Sequence, residues 1–449
     1  MTKNFDLIVI GTGAAGATAA NECRSAGWNV TIVDSRPFGG TCALRGCDPK
    51  KVLVDVTEVI ERSLQLAGKG VADGVKIDWP ALMQFKRTFT QPVPKDREEQ
   101  FSEAGIAVFH GRARFTDKTT IQVGDDTLIG RFVLIAAGAW PARLHIPGEE
   151  HLTTSDKFLE LDVLPPRILF VGGGYISFEF AHVSARSGSQ AQILHRDVRP
   201  LEKFDPDMVA RLVKATEELG VAVRFNTAVQ RIEKSSGHFT VHASVNGASQ
   251  TFQADLVVHG AGRVPEIDDL DLETAGVERE KRGVIVNEYL QSVANPGVYA
   301  AGDAAASGGP KLTPVAGMEG EVVAANLLEG NHRKPDFTAV ASIVFTLPSV
   351  ATVGLLESAA KEQGLKFRVN HQDTSDWHSS RRLGAKHSAF KVLIEENSDR
   401  ILGAHLIGPH AEEQINLFTL AMRSRIRASD VEQTLFAYPT GASDLSYMV

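Results

Sequence analysis

The stretch Asp6–Gly16 reads D-L-I-V-I-G-T-G-A-A-G and decides the fold of this chain. Its apolar first half has the length and composition of a buried parallel strand. From Gly11 onward it is a complete G-x-G-x-x-G motif, and small, helix-tolerant residues follow. Glycines in this pattern let the backbone turn sharply and approach a pyrophosphate, which meets the free N–H groups at the start of the helix.

A second strand at residues 29–33 follows that helix and is closed by Asp34. A carboxylate at this point is placed to bind the ribose hydroxyls of a dinucleotide. The glycine motif alone would be weak evidence for dinucleotide binding. Strand, helix, second strand and acid in register together predict a dinucleotide-binding unit.

The same arrangement returns 161 residues later. The strand 167–171 leads into residues 172–177, G-G-G-Y-I-S, where a serine stands at the third glycine position. This offset carries Asp34 onto His195. The chain therefore contains a second dinucleotide-binding unit, and the bulkier Ser177 should hold its helix slightly away from its strand.

Cations replace the ribose-binding acid in the second unit. His195 is followed by Arg196 and, further on, by Arg199. Losing a carboxylate and gaining positive charge favours a nucleotide with a 2′-phosphate, so we expect NADPH, with NADH less favoured. The alternative is a solvated basic turn, and Glu202 partly offsets the charge.

The stretch Gly39–Lys51, G-G-T-C-A-L-R-G-C-D-P-K-K, places Cys42 and Cys47 five positions apart. Two close cysteines in a chain with only three indicate a redox-active or metal-binding pair. A helix beginning near Cys42 and the lysines at 50 and 51 should lower the thiol pKa, because thiolates are stabilised by positive potential. The alternative is a buried, non-catalytic disulfide.

Asp48 works against that positive potential, and its other interpretation is a carboxylate that stabilises the first turn of a helix. Beyond it, the apolar pattern predicts helices from Val52 to Leu66 and from Gly317 to Leu328, with a hairpin over Ile121–Arg131. Residues 331–449 alternate strand-like runs with one helix, which predicts a smaller α+β domain. The predicted elements there are strands at 343–345, 390–395 and 401–407 and a helix at 411–422.

The bulk composition excludes several classes of protein. The 449 residues carry a net charge of −8, which favours neither nucleic acid nor an anionic membrane as a partner. We see no apolar run of the ~20 residues that span a bilayer and no signal peptide. Three cysteines do not make a secreted disulfide framework, so we expect a cytoplasmic protein.

Together these motifs resemble the class I pyridine nucleotide–disulfide oxidoreductases, a family that includes glutathione reductase, dihydrolipoamide dehydrogenase and mercuric reductase. The likeness rests on Gly39–Lys51, on the two glycine motifs in this order and on Gly302-Asp303. It implies an α/β fold with two Rossmann-like domains, FAD in the first, NAD(P)H in the second, and a C-terminal α+β domain that forms a homodimer. The implied domains are 1–145 with 265–330 for FAD, 146–264 for NAD(P)H, and 331–449 for the interface.

The resemblance also implies roles for individual residues. Cys42 would attack the substrate and Cys47 would exchange electrons with the flavin. Lys51 would lie near the reactive nitrogen of the flavin, paired with Glu179, and Tyr175 would cover the nicotinamide pocket. The implied cofactor-binding positions are Gly11, Gly13, Ala14, Ala15, Gly16, Asp34, Gly40, Thr41, Lys51, Ala137, Gly138, Gly172, Gly174, Tyr175, Ile176, His195, Arg196, Gly262, Arg263, Gly302 and Asp303.

One position departs from the family pattern. Disulfide reductases of this family use a C-terminal histidine, oriented by a glutamate, as the acid for the leaving thiolate. Here Tyr438 and Ser443 stand at those positions, and Asp444 could replace the glutamate. A tyrosine, with an ordinary pKa of about 10, is a poor match for acid–base cycling near neutral pH.

Three hypotheses follow from this departure. The first is a disulfide reductase in which Tyr438 is the acid. The second is a reductase of a metal ion, quinone or other acceptor that needs no acid. The third is a redox sensor without turnover. The sequence gives no dedicated metal site: mercuric reductases carry a second, C-terminal cysteine pair, which is missing from the tail Ser446–Val449.

Overall fold

The computed structural model describes residues 1–72 and 74–449. Within them the strands, in chain order, are β1 Thr2–Ile10, β2 Val30–Asp34, β3 Ala107–His110, β4 Ala113–Asp117, β5 Thr120–Val123, β6 Asp126–Ile135, β7 Ala139–Pro141, β8 Arg167–Val171, β9 Gln190–Leu194, β10 Ala222–Arg224, β11 Thr227–Ser235, β12 His238–Val245, β13 Ala248–Ala254, β14 Leu256–His259, β15 Arg263–Pro265, β16 Arg279–Glu280, β17 Gly283–Val284, β18 Val298–Ala300, β19 Ser342–Val344, β20 Ser349–Gly354, β21 Phe367–Asp373, β22 Ala389–Glu395 and β23 Ile401–Gly408.

The helices of the same described residues are α1 Ala14–Ser25, α2 Gly40–Arg45, α3 Cys47–Gln65, α4 Trp79–Thr90, α5 Val93–Glu103, α6 Ser155–Phe158, α7 Tyr175–Arg186, α8 Pro206–Glu218, α9 Thr313–Glu329, α10 Glu357–Glu362, α11 His378–Arg381, α12 Ala411–Arg423 and α13 Ala428–Gln433. Short 3-10 turns lie at Glu149–His151, Gly302–Ala304 and Ala442–Tyr447. In this part of the chain, no helix combines the length and apolar character needed to cross a membrane.

The chain divides into two compact units. The first comprises Met1–Lys50, Gln84–Ala142 and Arg263–Phe337, and the second comprises Lys51–Met83, Arg143–Gly262 and Thr338–Val449. Both are mixed α/β, as the fold class predicted from the sequence requires.

A seven-stranded sheet in the order β3-β2-β1-β6-β5-β4, with β18 beside β6, organises the first unit. β1 is parallel to both β2 and β6, and β5 and β6 form the predicted hairpin. Because successive side chains of a strand point to opposite faces, Leu7 and Val9 enter the core on one face and Ile8 and Ile10 enter the core on the other. Each fully buried side chain of this size contributes about 1.5–3 kcal/mol, so β1 is anchored from both sides.

The second unit contains a parallel sheet, β10-β9-β8-β14, a three-stranded antiparallel sheet, β11-β12-β13, and a five-stranded antiparallel sheet, β19-β20-β23-β22-β21. The last of these lies in the predicted α+β region, where β20 and β21 are strands that the sequence reading did not find.

Two helices begin earlier than the apolar pattern predicted. α3 starts at Cys47 rather than at Val52, and α9 starts at Thr313 rather than at Gly317. Each first turn contains a proline, Pro49 or Pro314. Proline is tolerated there because the first N–H groups of a helix have no partner within the helix. The shift matters because it puts Cys47 and Thr313 at helix N-termini.

Candidate functional site

The first glycine motif is closely packed except where a ligand would approach. Gly11 has φ +109°, and a Cβ there would lie 2.2 Å from the Ala136 carbonyl oxygen. A Cβ on Gly16 would lie 2.1 Å from the Gly11 carbonyl oxygen, whereas one on Gly13 would meet no atom within 4 Å. No side chain of the described residues caps α1 at Gly13. Open space beside uncapped N–H groups suits a pyrophosphate, so the residues present fit the adenosine half of FAD.

Asp34 is held at the end of β2 by the glycine loop itself. Its Oδ2 accepts hydrogen bonds from the Thr12 backbone N–H at 3.0 Å and from the Thr12 hydroxyl at 2.7 Å, and its Oδ1 accepts one from the Arg36 N–H at 3.0 Å. Gly40 is packed against the same loop, because a Cβ there would lie 2.5 Å from the Gly13 Cα. Asp34 also lines a pocket that includes Glu266.

Asp303 lies in a turn whose backbone is hydrogen-bonded by the side chains of Glu319 and Lys311. Glu319 Oε2 accepts a hydrogen bond from the Gly302 N–H at 2.6 Å, and Lys311 Nζ donates one to the Gly302 carbonyl oxygen at 3.1 Å. Burial raises the pKa of Asp303, although Lys311 and Arg263 oppose the rise. Sequence reasoning missed Glu319 and Lys311, because neither belongs to a recognisable motif.

Further predicted positions lie next to these loops in the first unit. Thr41 follows Gly40 in α2, and Ala14 and Ala15 form the first turn of α1. Ala137 lines the pocket with Asp34. Arg263 opens β15, and its guanidinium donates a hydrogen bond to the Ala139 carbonyl oxygen, just after Gly138.

The second glycine motif repeats the close approach of the first. Gly172 has φ +105°, and a Cβ there would lie 2.6 Å from the Gly260 carbonyl oxygen. Ser177, at the third glycine position, is fully buried. A Cβ on Gly260 would lie 2.0 Å from the Ser177 hydroxyl oxygen, so the glycine at 260 makes the space that the serine needs. Gly174 precedes α7, and Tyr175 and Ile176 are its first residues; the Tyr175 ring is half exposed.

Both ring nitrogens of His195 contact backbone groups of the second unit. The Gly173 N–H donates to His195 Nδ1 at 3.0 Å, so Nδ1 carries no proton. The other ring nitrogen, Nε2, then donates to the Arg199 carbonyl oxygen at 2.9 Å. His195 therefore positions the glycine loop through both ring nitrogens, and the arginines are the permanently charged side chains at this turn.

Beyond the end of β9, Arg196 is exposed and Arg199 is half-buried. Arg196 Nε pairs with the Asp197 carboxylate at 3.1 Å, and Arg199 donates to the Glu202 carbonyl oxygen at 3.1 Å. Gly262 ends the Arg143–Gly262 segment of the second unit and has φ +112° with open space beside it.

The two cysteines are free thiols on consecutive helices. Cys42 lies in α2, and Cys47 is the first residue of α3, with Gly46 between the helices. Cys42 Sγ lies 3.8 Å from Asp48 Oδ1, and Cys47 Sγ lies 3.5 Å from the Thr313 hydroxyl oxygen. Thr313 is 266 residues away in sequence, and no pattern near Cys47 in the chain predicts this contact.

The environment separates the two thiols by acidity. The hydrogen bond from Cys42 lowers the pKa of Cys47 most, and with help from Thr313 and Lys50 it brings that pKa to about 6 despite burial. The same hydrogen bond, followed by burial, raises the pKa of Cys42. Cys47 is therefore a thiolate at neutral pH, and Cys42 is the protonated partner that donates to it.

This assignment predicts a pH profile. The pKa of Cys47 is depressed, so its thiolate exists above about pH 6 and is lost as the pH falls through that value. In the reduced protein, alkylation of Cys47 by iodoacetamide, followed by peptide mass spectrometry, should show a midpoint near 6. Thr313→Val removes a hydrogen bond to the thiolate and should raise that midpoint by about one pH unit. Thr313→Ser, which keeps the hydroxyl, should not; equal midpoints in all three proteins would contradict the contact.

Lys51 and Glu179 have separate partners in the second unit. Lys51 Nζ forms an ion pair with the Asp55 carboxylate, one turn along α3, and lies 5.5 Å from the centre of the Phe345 ring. Glu179 is buried in α7, and its Oε1 accepts a hydrogen bond from the Phe345 N–H at 2.8 Å.

The C-terminal positions do not form an acid–base pair in this chain. The Tyr438 side chain is 80% exposed. The Ser443 hydroxyl donates to the Thr440 carbonyl oxygen at 2.6 Å and serves the local turn. Burial raises the pKa of Asp444, against the effects of Ser379, Arg382 and His378, so Asp444 belongs to the contacts of α11. Among the described residues, no group of three or more His, Cys, Asp or Glu side chains could hold a metal ion.

Comparison with known proteins identifies the family to which these features belong. The profile of the pyridine nucleotide-disulphide oxidoreductases matches residues 5–320, and that of the dimerisation domain of the same family matches residues 340–449. The chain belongs to this family. It is therefore an FAD-dependent oxidoreductase that takes electrons from NAD(P)H through the flavin to a redox-active cysteine pair, and it carries the family's dimerisation domain.

Relatives of this flavoenzyme act on different acceptors. A mercuric reductase from Staphylococcus aureus is 31% identical, over 98% of this chain and 81% of the relative. A glutathione reductase from Burkholderia cepacia is 30% identical, over 98% of this chain and 97% of the relative. A solved structure, the Cu(II) complex of a cysteine-to-serine variant of the HOCl-induced flavoprotein disulfide reductase RclA from Escherichia coli, is 25% identical with a TM-score of 0.89, over 100% and 99% of the two chains.

Proposed function

We propose that the enzyme reduces a disulfide-type acceptor at the Cys42–Cys47 pair, with NADPH as the electron source. The observation that carries the proposal is the polarised dithiol, in which a thiolate at the N-terminus of α3 accepts a hydrogen bond from a protonated neighbour. A thiolate at neutral pH is what both flavin communication and disulfide exchange require.

We assign the cofactor sites to the two glycine motifs. In the first unit Gly11, Gly13, Gly16, Asp34 and Asp303 would hold FAD, which when bound relays two electrons from the nicotinamide to the cysteine pair. In the second unit the glycine loop before α7 would hold the nucleotide, with Tyr175 at its start. Lys51 and Glu179 are proposed as positioning residues for these cofactors.

The thiol pair can carry out the exchange without an external acid. The Cys42 proton moves along the hydrogen bond to Cys47, and the Cys42 thiolate attacks one sulfur of the acceptor, forming a mixed disulfide and expelling a thiolate. That leaving thiolate takes the proton from Cys47. The Cys47 thiolate then attacks Cys42 Sγ, which restores the Cys42–Cys47 disulfide and releases the second thiolate, which is protonated by solvent. Tyr438 becomes an auxiliary donor rather than the required acid.

A metal ion is the second candidate acceptor. Tyr438 and Ser443 stand where disulfide reductases of the family have an acid pair, and one relative is named for mercury and another was solved with Cu(II). The test is steady-state turnover of the holoenzyme with NADPH and four acceptors: a small disulfide, glutathione disulfide, Hg(II) and Cu(II). Disulfide turnover at least tenfold above the metal rates supports the proposal, and the reverse order replaces it with metal reduction.

The preference for NADPH over NADH rests on Arg196 and Arg199, since both ring nitrogens of His195 contact backbone groups. Replacing both arginines with glutamine should lower kcat/KM for NADPH about 10–100-fold and change that for NADH less than about twofold, because only the 2′-phosphate contacts are lost. Equal effects on the two nucleotides would show that the arginines do not contact the 2′-phosphate.

We further propose a homodimer, formed through residues 340–449, that works in the cytoplasm, where NADPH is regenerated.

A further inference from the structure

We propose that Asp48 selects acceptors by charge, favouring cationic over anionic disulfides at Cys42. This inference rests on the proposed function and deepens it by naming the substrate class. Asp48 Oδ1 lies 3.8 Å from Cys42 Sγ, so a carboxylate is next to the thiol that must contact the acceptor. Asp48 is exposed in the first turn of α3, within reach of solvent and of an approaching molecule.

The field around Cys42 differs from that around Cys47. After the hydrogen bond between the thiols and the burial of Cys42, the charge of Asp48 raises the pKa of Cys42. At Cys47 the charge of Lys50 opposes that of Asp48. Lys50 therefore offsets the Asp48 carboxylate at Cys47, whereas at Cys42 the negative charges of Asp48 and Cys47 act in the same direction. Unit charges about 4 Å apart near a protein surface interact strongly enough to change binding by an order of magnitude.

A purely structural role for Asp48 gives a different expectation. An acid in the first turn stabilises a helix through its dipole, whatever the acceptor. Removing that stabilisation would lower the rates with all acceptors alike. Charge selection instead changes the rates with cationic and anionic acceptors in opposite directions, and taking their ratio cancels any change in thiol reactivity.

The test uses three disulfides of similar size: cystamine with two ammonium groups, bis(2-hydroxyethyl) disulfide without charge, and 3,3′-dithiodipropionate with two carboxylates. The kcat/KM of the FAD-loaded enzyme is measured for each, with saturating NADPH. Asp48→Asn should lower the cystamine-to-dithiodipropionate ratio about tenfold. Added salt should weaken the wild-type preference, because screening shortens the reach of the charge.

Two variants serve as controls. Asp48→Glu keeps the charge and should retain most of the ratio. Glu58→Gln removes a carboxylate from the same helix, where Glu58 pairs with Arg62 at 3.5 Å, and should leave the ratio unchanged. A ratio unchanged within twofold in Asp48→Asn overturns charge selection, while normal turnover of the neutral disulfide shows that the proposed function stands. If the wild-type enzyme reduced none of the three disulfides, the proposed function itself would be overturned.

Discussion

Cys42→Ser is expected to lower kcat/KM for every disulfide acceptor by at least about 10³-fold, because a serine hydroxyl neither attacks a disulfide nor forms a bond that Cys47 can resolve. The variant keeps Cys47 and its contact with Thr313, 3.5 Å away. NADPH-dependent reduction of a quinone, which can take electrons without the thiols, should persist within about threefold of wild type.

Cys23→Ala is the matched control for this variant. Cys23 is fully buried in α1, and burial raises its pKa to about 12, so it contributes no thiolate. Its replacement should leave disulfide turnover within about twofold, since the side chain only packs in the core. Undiminished disulfide reduction by Cys42→Ser would show that electrons leave by a route other than the Cys42 sulfur.

Lys391→Met is expected to lower the free energy of unfolding by about 3–5 kcal/mol. Lys391 is 3% exposed in β22, and its Nζ pairs with Asp205 Oδ2 at 2.9 Å and also with the Asp207 carboxylate. Asp205 is fully buried and caps α8 through the N–H groups of residues 207 and 208. Removing the lysine leaves a buried carboxylate without its cation, which costs far more than an exposed ion pair contributes.

Urea unfolding of the FAD-loaded protein measures this effect, with Lys214→Met as the control. Lys214 is exposed and pairs with Glu218 at 4.0 Å, so its replacement should change the free energy of unfolding by less than about 1 kcal/mol. A comparably small change in Lys391→Met would mean that the buried pair contributes little to stability.

The parts of this structure that the sequence predicted well are those carried by local patterns. The glycine motifs, the continuous burial of the apolar half of β1 and the β5–β6 hairpin each follow from a short stretch of chain. The starts of α3 and α9 were misplaced because each first turn contains a proline, and in α3 the first turn is also polar, so the apolar pattern begins only after it.

Contacts that join distant residues could not be predicted from the sequence. Thr313 reaches Cys47 across 266 positions, and Glu319 reaches Gly302 from within a helix. His195 has the residue type of a phosphate ligand, but the distance from Nδ1 to the Gly173 N–H decides its role. The residue types at the dithiol were evident from the sequence, whereas the acidity of each thiol depends on which groups lie around it.

Anaerobic titration of the FAD-loaded enzyme with NADPH tests the central claim most directly, namely that the flavin passes two electrons to the Cys42–Cys47 disulfide and leaves Cys47 as a thiolate. At pH 7.5, one equivalent of NADPH should produce a long-wavelength absorbance band from the thiolate beside oxidised flavin, and this band should be absent in Cys47→Ser. Direct bleaching of the flavin in the wild type, without that band, would contradict the claim.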